Sequence, residues 1–135
     1  MAVPNRVALD EIAVGTYSFY STDEIKSPYI TNTIDLGFAY IYECASSDAE
    51  KIRRLFKRID GESISFDTAI STRKILDMLN ARVVSTDNTH GMEMVCAHNP
   101  RQRNYIVEGG RKINLQIAKS KDKTTIGIPV ILGSY

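Results

Sequence analysis

The sequence predicts an α+β domain: a largely antiparallel sheet with two helices packed on one of its faces. Three observations carry that expectation. The first is the order of hydrophobic patterns along the 135 residues, which runs strand, helix, strand, helix and then a series of strands. The second is the stretch 109–135, where Ile113, Leu115 and Ile117 alternate with Asn114, Gln116 and Ala118. That period of two is the mark of a strand with one buried face. The third is turn and cap chemistry at the right places. Gly109-Gly110 separates two β-favouring runs, and Gly61 and Asn80 follow two helical patterns.

Taken in order, residues 1–35 form an N-terminal arm or leading strand of the same domain, whose main body is 36–135. Residues 7–14 suit a short helix or strand, 16–20 have strand character, and Ser27-Pro28 and Asn32 mark irregular structure. Phe38, Tyr40, Tyr42 and Cys44 alternate with Ala39, Ile41 and Glu43, so apolar groups fill most positions and a central strand is expected. Ser47-Asp48-Ala49-Glu50 matches a capping box, in which serine and glutamate satisfy each other's orphan amides. The helix it starts carries Ala49, Ile52, Leu55, Phe56 and Ile59 on one face and is expected to stop at Gly61.

A strand over 63–66 follows, then a second helix from Ser71 with Ile75, Met78 and Leu79 inward and Asn80 as its C-terminal cap. Residues 82–86 form a strand and 88–91 a turn. Met92, Met94, Cys96 and His98 then alternate with Glu93, Val95 and Ala97 until Asn99-Pro100 ends the run. The strand Tyr105-Ile106-Val107 turns through Glu108-Gly109-Gly110-Arg111 as a tight hairpin, because paired glycines supply the positive φ of a primed turn. A last strand spans 124–132. Proline cannot donate to a ladder, so Gly127 and Pro129 place it at a sheet edge or on a bulge.

Composition narrows the class. Hydrophobic residues at 43% and charged residues at 24% are ordinary for a globular domain, and a net charge of +1 gives no bulk attraction to nucleic acid or anionic membrane. No apolar run approaches the length of a transmembrane helix. Asp10 and Glu11 interrupt the apolar core that a signal peptide needs, which implies a cytoplasmic protein or a trimmed form. Cys44 and Cys96 are too few for a disulfide framework and too far apart for a zinc knuckle. Two buried thiols acting as small hydrophobes is the favoured reading, with a single disulfide as the alternative.

No catalytic, metal-binding or phosphate-binding motif is recognisable, so no cofactor or metal is expected and the chain reads as non-enzymatic. Lys51, Arg53, Arg54, Lys57 and Arg58 are the strongest charge feature. They suit the solvated face of an amphipathic helix, supported by Glu50 with Arg54 at i,i+4, better than a polyanion contact. Cys96 and His98 lie two apart on one strand, where a thiol could meet a base, yet no oxyanion element or third group accompanies them. Metal binding there needs two further ligands. His90 sits in a turn. The candidate ligand-binding set is the polar side of the hairpin strand, Asn114 and Gln116, with Arg111 from the turn. Paired hydrogen bonds from these to a polymer or peptide are weighed against a plain solvent-facing sheet side.

Three stretches together resemble the YwmB family, small proteins of endospore-forming and related Gram-positive bacteria. They are Leu79-Asn80-Ala81-Arg82-Val83-Val84, the strand from Gly110 to Ala118, and the ending from Ile126 to Tyr135. The resemblance covers residues 36–135. It implies a TATA-box-binding-protein-like fold and an exported protein of the cell envelope, and it brings no catalytic residues. The expected function is therefore a non-enzymatic binding or assembly module of the envelope, whose partner is another envelope protein or a cell-wall polymer. The alternative is a cytoplasmic nucleic-acid-binding module using the sheet face and the basic helix, and a third reading is an enzyme using Cys96 with His98.

Overall fold

The computed structural model describes residues 9–67, 70–102, 105–129 and 131. Its strands are β1 (Thr16–Ser21), β2 (Ile30–Asp35), β3 (Tyr40–Ala45), β4 (Gly61–Phe66), β5 (Arg82–Thr89), β6 (Met92–His98), β7 (Ile106–Glu108), β8 (Arg111–Ile113), β9 (Leu115–Lys119) and β10 (Thr124–Ile128). Its helices are α1 (Ala49–Arg53) and α2 (Thr72–Met78). Eight strands form one sheet in the order β2-β3-β1-β4-β10-β9-β6-β5, and every pairing is antiparallel. β7 and β8 form a separate two-stranded ribbon. The α+β class with a large antiparallel sheet and two short helices agrees with the sequence. Among the described residues, no helix is long and apolar enough to cross a membrane.

Register sorts the sheet into two unlike faces. Tyr17 pairs with Cys44 and Ile64, and Ile126 pairs with Ile64 and Ile117, so these side chains share one side. They join Phe19, Val95 and Leu115 in a single core cluster with Ala49 and Ile52 of α1, Ile75 of α2, and Leu79. Each fully buried aliphatic side chain there contributes about 1.5–3 kcal/mol. The opposite side of β1, β4 and β10 carries Thr16, Ser18, Ser63, Ser65 and Thr125, all small and hydroxylic, with Gly127 beside Ser63 and with Tyr20 and Gly61 at the next position along β1 and β4.

Local signals hold where local chemistry decides. Ser71 Oγ accepts the Lys74 backbone N–H at 3.1 Å and starts α2. Asn80 ends it at φ 51°, while Asn80 N–H reaches Asp77 O and Ala81 N–H reaches Leu76 O. Those two bonds are the Schellman pattern that satisfies terminal carbonyls. Gly109 and Gly110, at φ 57° and 78°, give the ribbon its primed two-residue turn.

Three expectations are corrected. The first helix ends at Arg53 instead of reaching Gly61, and no capping box forms, since its N-cap is Asp48 without a side-chain bond. Long-range bonds take over instead. The Asp23 carboxylate accepts the backbone N–H groups of Lys57 and Arg58 at 2.7 and 3.0 Å, and Asp60 N–H donates to Tyr20 O at 2.8 Å. Gly61 opens β4, opposite Tyr20. Second, β10 is central, between β4 and β9, with all five residues buried. Its last paired residue is Ile128, so Pro129, joined to it by a cis peptide, lies beyond the ladder and its missing donor costs nothing. Third, Phe38 belongs to the turn between β2 and β3 and is 74% exposed.

Arg53 was expected on a solvated basic face, and the structure buries it to 6% exposure. Its Nη2 meets Glu62 Oε1 at 2.9 Å and Asp10 Oδ1 at 2.8 Å, and its Nη1 meets Glu50 Oε2 at 2.6 Å. Tyr17 donates its hydroxyl to Glu62 at 2.7 Å and accepts from Arg53 at 3.1 Å. Burial works against the guanidinium charge, but Glu62 and Asp10 outweigh it and hold the Arg53 pKa above its ordinary value. Burial, then Glu62, pushes the Tyr17 phenol up. Arg53→Met strands the Glu62 carboxylate inside the core and is expected to cost about 3–5 kcal/mol in chemical denaturation. Adding Glu62→Gln should restore part of that loss. A single-variant cost below about 1 kcal/mol would show that the cluster does not hold the core.

Candidate functional site

The hydroxylic side of the sheet forms a trough of about 450 Å³. Its floor is built by alternation in three strands that are distant in sequence. In β1, Thr16 and Ser18 face it while Tyr17 and Phe19 enter the core; in β4, Ser63 and Ser65 face it while Ile64 and Phe66 enter the core. Thr125 of β10 lies beside Ser65, with their hydroxyls 3.2 Å apart. Thr16, Ser65 and Thr125 make one row across the sheet, with neighbours at the spacing of about 4.8 Å that separates strands, and Ser18 with Ser63 makes the next row. Glu43, Asp67 and Lys123 add both signs of charge to the lining, and Val14, Ile34 and Phe66 add apolar groups at its rim.

Ser18 is 9% exposed and Ser63 only 3%. Among the described residues neither side-chain hydroxyl has a hydrogen-bond partner, and neither is sealed away from the trough. Hydroxyls open to a cavity in this way can bond water or a ligand group there. Gly15 brings the start of β1 against β4 at one end of this floor. A Cβ at Gly15 would overlap the Ser65 carbonyl oxygen, so only glycine fits. The Gly15 N–H donates to Ser46 Oγ at 2.9 Å and locks that approach.

The sequence reading did not single out these hydroxyls. The signal existed, as Ser or Thr at every second position of 16–18, 63–65 and 125. Nothing local shows that the three strands are neighbours.

The three residues the sequence offered as a ligand set are not brought together. Asn114 is buried between β8 and β9; its Oδ1 accepts from Asn99 N at 2.8 Å, and its Nδ2 donates to Asn99 O and Gln102 O at 2.7 and 3.1 Å. Gln116 is on the hydroxylic side, but its Oε1 accepts from Ile131 N at 3.0 Å and its Nε2 points to Cys96 Sγ at 3.7 Å. Ile131 therefore lies against this half of the sheet. Arg111 donates Nη1 to Val84 O at 2.9 Å and ties the ribbon to β5.

The basic run has no continuous face. Lys51 pairs with Asp48, Arg54 with Glu50 and Arg58 with Asp60, at 3.8, 3.5 and 2.8 Å. His90 holds the first turn position between β5 and β6 at φ 55°. His98, opposite Arg82, is two residues from Cys96 on one side of β6.

Cys44 and Cys96 are both free and buried. Burial first, then the nearby Asp48 carboxylate, pushes the Cys44 thiol up to about 11. A thiol reagent at neutral pH is expected to leave both cysteines unlabelled in the folded chain and to label both in denaturant, read by intact mass. The fold holds the neutral Cys44 thiol, so the unfolded chain, with a thiol near its ordinary 9.0, loses its proton first as pH rises. Stability should fall across about pH 9 to 11, and Cys44→Ala should flatten the first part of that decline in denaturation curves taken along the pH range.

No protein-family model, curated protein or solved structure matches the chain.

Proposed function

We propose that this chain is a non-enzymatic binding module of the bacterial cell envelope, and that its ligand is a polar polymer or peptide chain lying in the hydroxyl-lined trough. The carrying observation is the pair Ser18 and Ser63, nine-tenths or more buried at the trough floor with hydroxyls that have no hydrogen-bond partner among the described residues. A ligand rich in alternating donors and acceptors matches such a floor, because each hydroxyl can donate and accept. The small side chains let the ligand backbone approach the sheet closely. Helices behind the antiparallel sheet and an open surface over β1, β4 and β10 in front support reading the sheet as TATA-box-binding-protein-like. The envelope setting and kinship to the YwmB family rest on the resemblance in residues 79–84, 110–118 and 126–135.

Nucleic acid is the weaker partner on physical grounds. Binding a phosphate backbone needs cations free to displace counterions. In the basic run Arg53 is internal and Lys51, Arg54 and Arg58 are paired, and among the described residues Lys123 is the one basic side chain that lines the trough.

Co-sedimentation of the purified protein with isolated cell walls tests the reading, with the double variant Ser18→Ala, Ser63→Ala as its control. Each lost hydroxyl removes about 0.5–1.5 kcal/mol of hydrogen bonding, so the pair should weaken retention roughly tenfold. Thermal stability should be unchanged, since among the described residues neither hydroxyl has a partner. Absence of retention, or retention that the double variant does not alter, would remove the trough from consideration. Retention on DNA at low salt would instead put nucleic acid in its place.

A further inference from the structure

We infer that a second site, a basic cleft of about 890 Å³ at the junction of α2, β5 and the β7-β8 ribbon, binds an organic phosphate. It shares no lining residue with the trough and stands independently of the function proposed for that surface.

Three cationic or protonatable side chains from three strands line it: Arg82 of β5, His98 of β6 and Lys112 of β8. Arg82 and His98 are cross-strand partners, which sets their side chains next to each other on one side. Lys112 comes from the ribbon, whose place is fixed by Arg111 Nη1 donating to Val84 O at 2.9 Å. The Lys112 ammonium lies 4.7 Å from the centre of the Tyr105 ring, which steadies it without neutralising it. Among the described residues, neither Arg82 nor Lys112 has a carboxylate within ion-pair distance, although Asp77 lines the same cleft. This contrasts with Lys51, Arg53, Arg54 and Arg58 around α1, which are bonded to acids.

The C-terminus of α2, also at this cleft, would ordinarily repel an anion with its exposed carbonyls. Here Leu76 O and Asp77 O already accept from Ala81 and Asn80, so that repulsion is reduced. Arg82 offers a planar fork to two oxygens of a phosphate, Lys112 a point charge to the third, and His98 a donor. The cleft is many times larger than a phosphate group, and Leu76, Val84 and Pro100 give it apolar surface. A phosphate carried on an organic body fits both parts, as ligand sites commonly combine an apolar wall with a few polar anchors.

Titration of the full chain with phenyl phosphate, followed by calorimetry and by the His98 ring resonances, tests this. Phenyl phosphate is expected to bind at least tenfold more tightly than inorganic phosphate and to shift the His98 signals. Arg82→Gln and Lys112→Gln should each weaken it at least tenfold, whereas Lys121→Gln, on the exposed connector between β9 and β10, should not change it. Ser18→Ala with Ser63→Ala should also leave it unchanged. Absence of binding at millimolar phenyl phosphate, or equal binding by the Arg82 and Lys112 variants, would overturn the site. Equal affinity for inorganic phosphate would overturn the organic part of the assignment.

Discussion

The buried guanidinium of Arg53 is the constraint on which the first half of the molecule depends. It joins four pieces of chain: Asp10 in the leading turn, Tyr17 in β1, Glu50 within α1 and Glu62 in β4. An ion in a low-dielectric core is tolerated only when its charge and its donors are matched. Here the Arg53 fork is engaged by three carboxylates, and one of those carboxylates is shared with a phenol. The rings of Tyr17 and Phe19 lie 5.5 and 5.6 Å from the guanidinium carbon, so the cation is also shielded by aromatic surface. Turning Arg53 inward leaves α1 short, because the residues after it must reach Asp23 and Tyr20 to satisfy their amides.

With that anchored core on one side, the other side of β1 and β4 need not carry bulk. Large apolar and aromatic residues of β1 and β4 face the helices, so the alternate positions can be serine and threonine. A covered sheet would fill such positions with bulk. Leaving them small and hydroxylic keeps backbone and hydroxyls within reach of a ligand. On the other half of the same side, Gln116 holds the Ile131 amide. The described chain thus covers the surface around β9 and leaves the surface around β1, β4 and β10 as a trough.

How much of this was legible follows from the range of each interaction. The cap at Ser71, the Asn80 terminus and the Gly109-Gly110 turn rest on contacts within a few residues, and the sequence shows them. The end of α1 is decided by Asp23, more than thirty residues before the amides it captures. The place of β10 depends on where its ladder stops, and only pairing with Glu62 shows that Pro129 lies just past it. Asn114 falls on the polar phase of an alternating strand, which suggested an outward side chain. The strand breaks there instead, so that Asn114 can bond Asn99 across a gap of fifteen residues. The trough was legible strand by strand as alternating hydroxyls, but its assembly from residues 16–18, 63–65 and 125 is a product of topology.

The distribution of charge separates the two proposed surfaces by mechanism. The trough offers neutral hydroxyls, with Glu43, Asp67 and Lys123 balancing to a small net charge at its lining. Contacts of that kind are short-ranged and directional, so they select for the pattern of donors and acceptors and respond little to ionic strength. The cleft offers Arg82 and Lys112 at a molecular net charge of only +1, so its attraction for an anion is local rather than a field of the whole protein. Binding there should weaken with salt while binding in the trough persists. A ligand carrying both hydroxyl-rich and phosphate groups would have to extend from one surface to the other, whereas two separate ligands need no such reach. Salt dependence therefore distinguishes one extended partner from two, since an extended partner would lose only the cleft's share of its affinity as ionic strength rises.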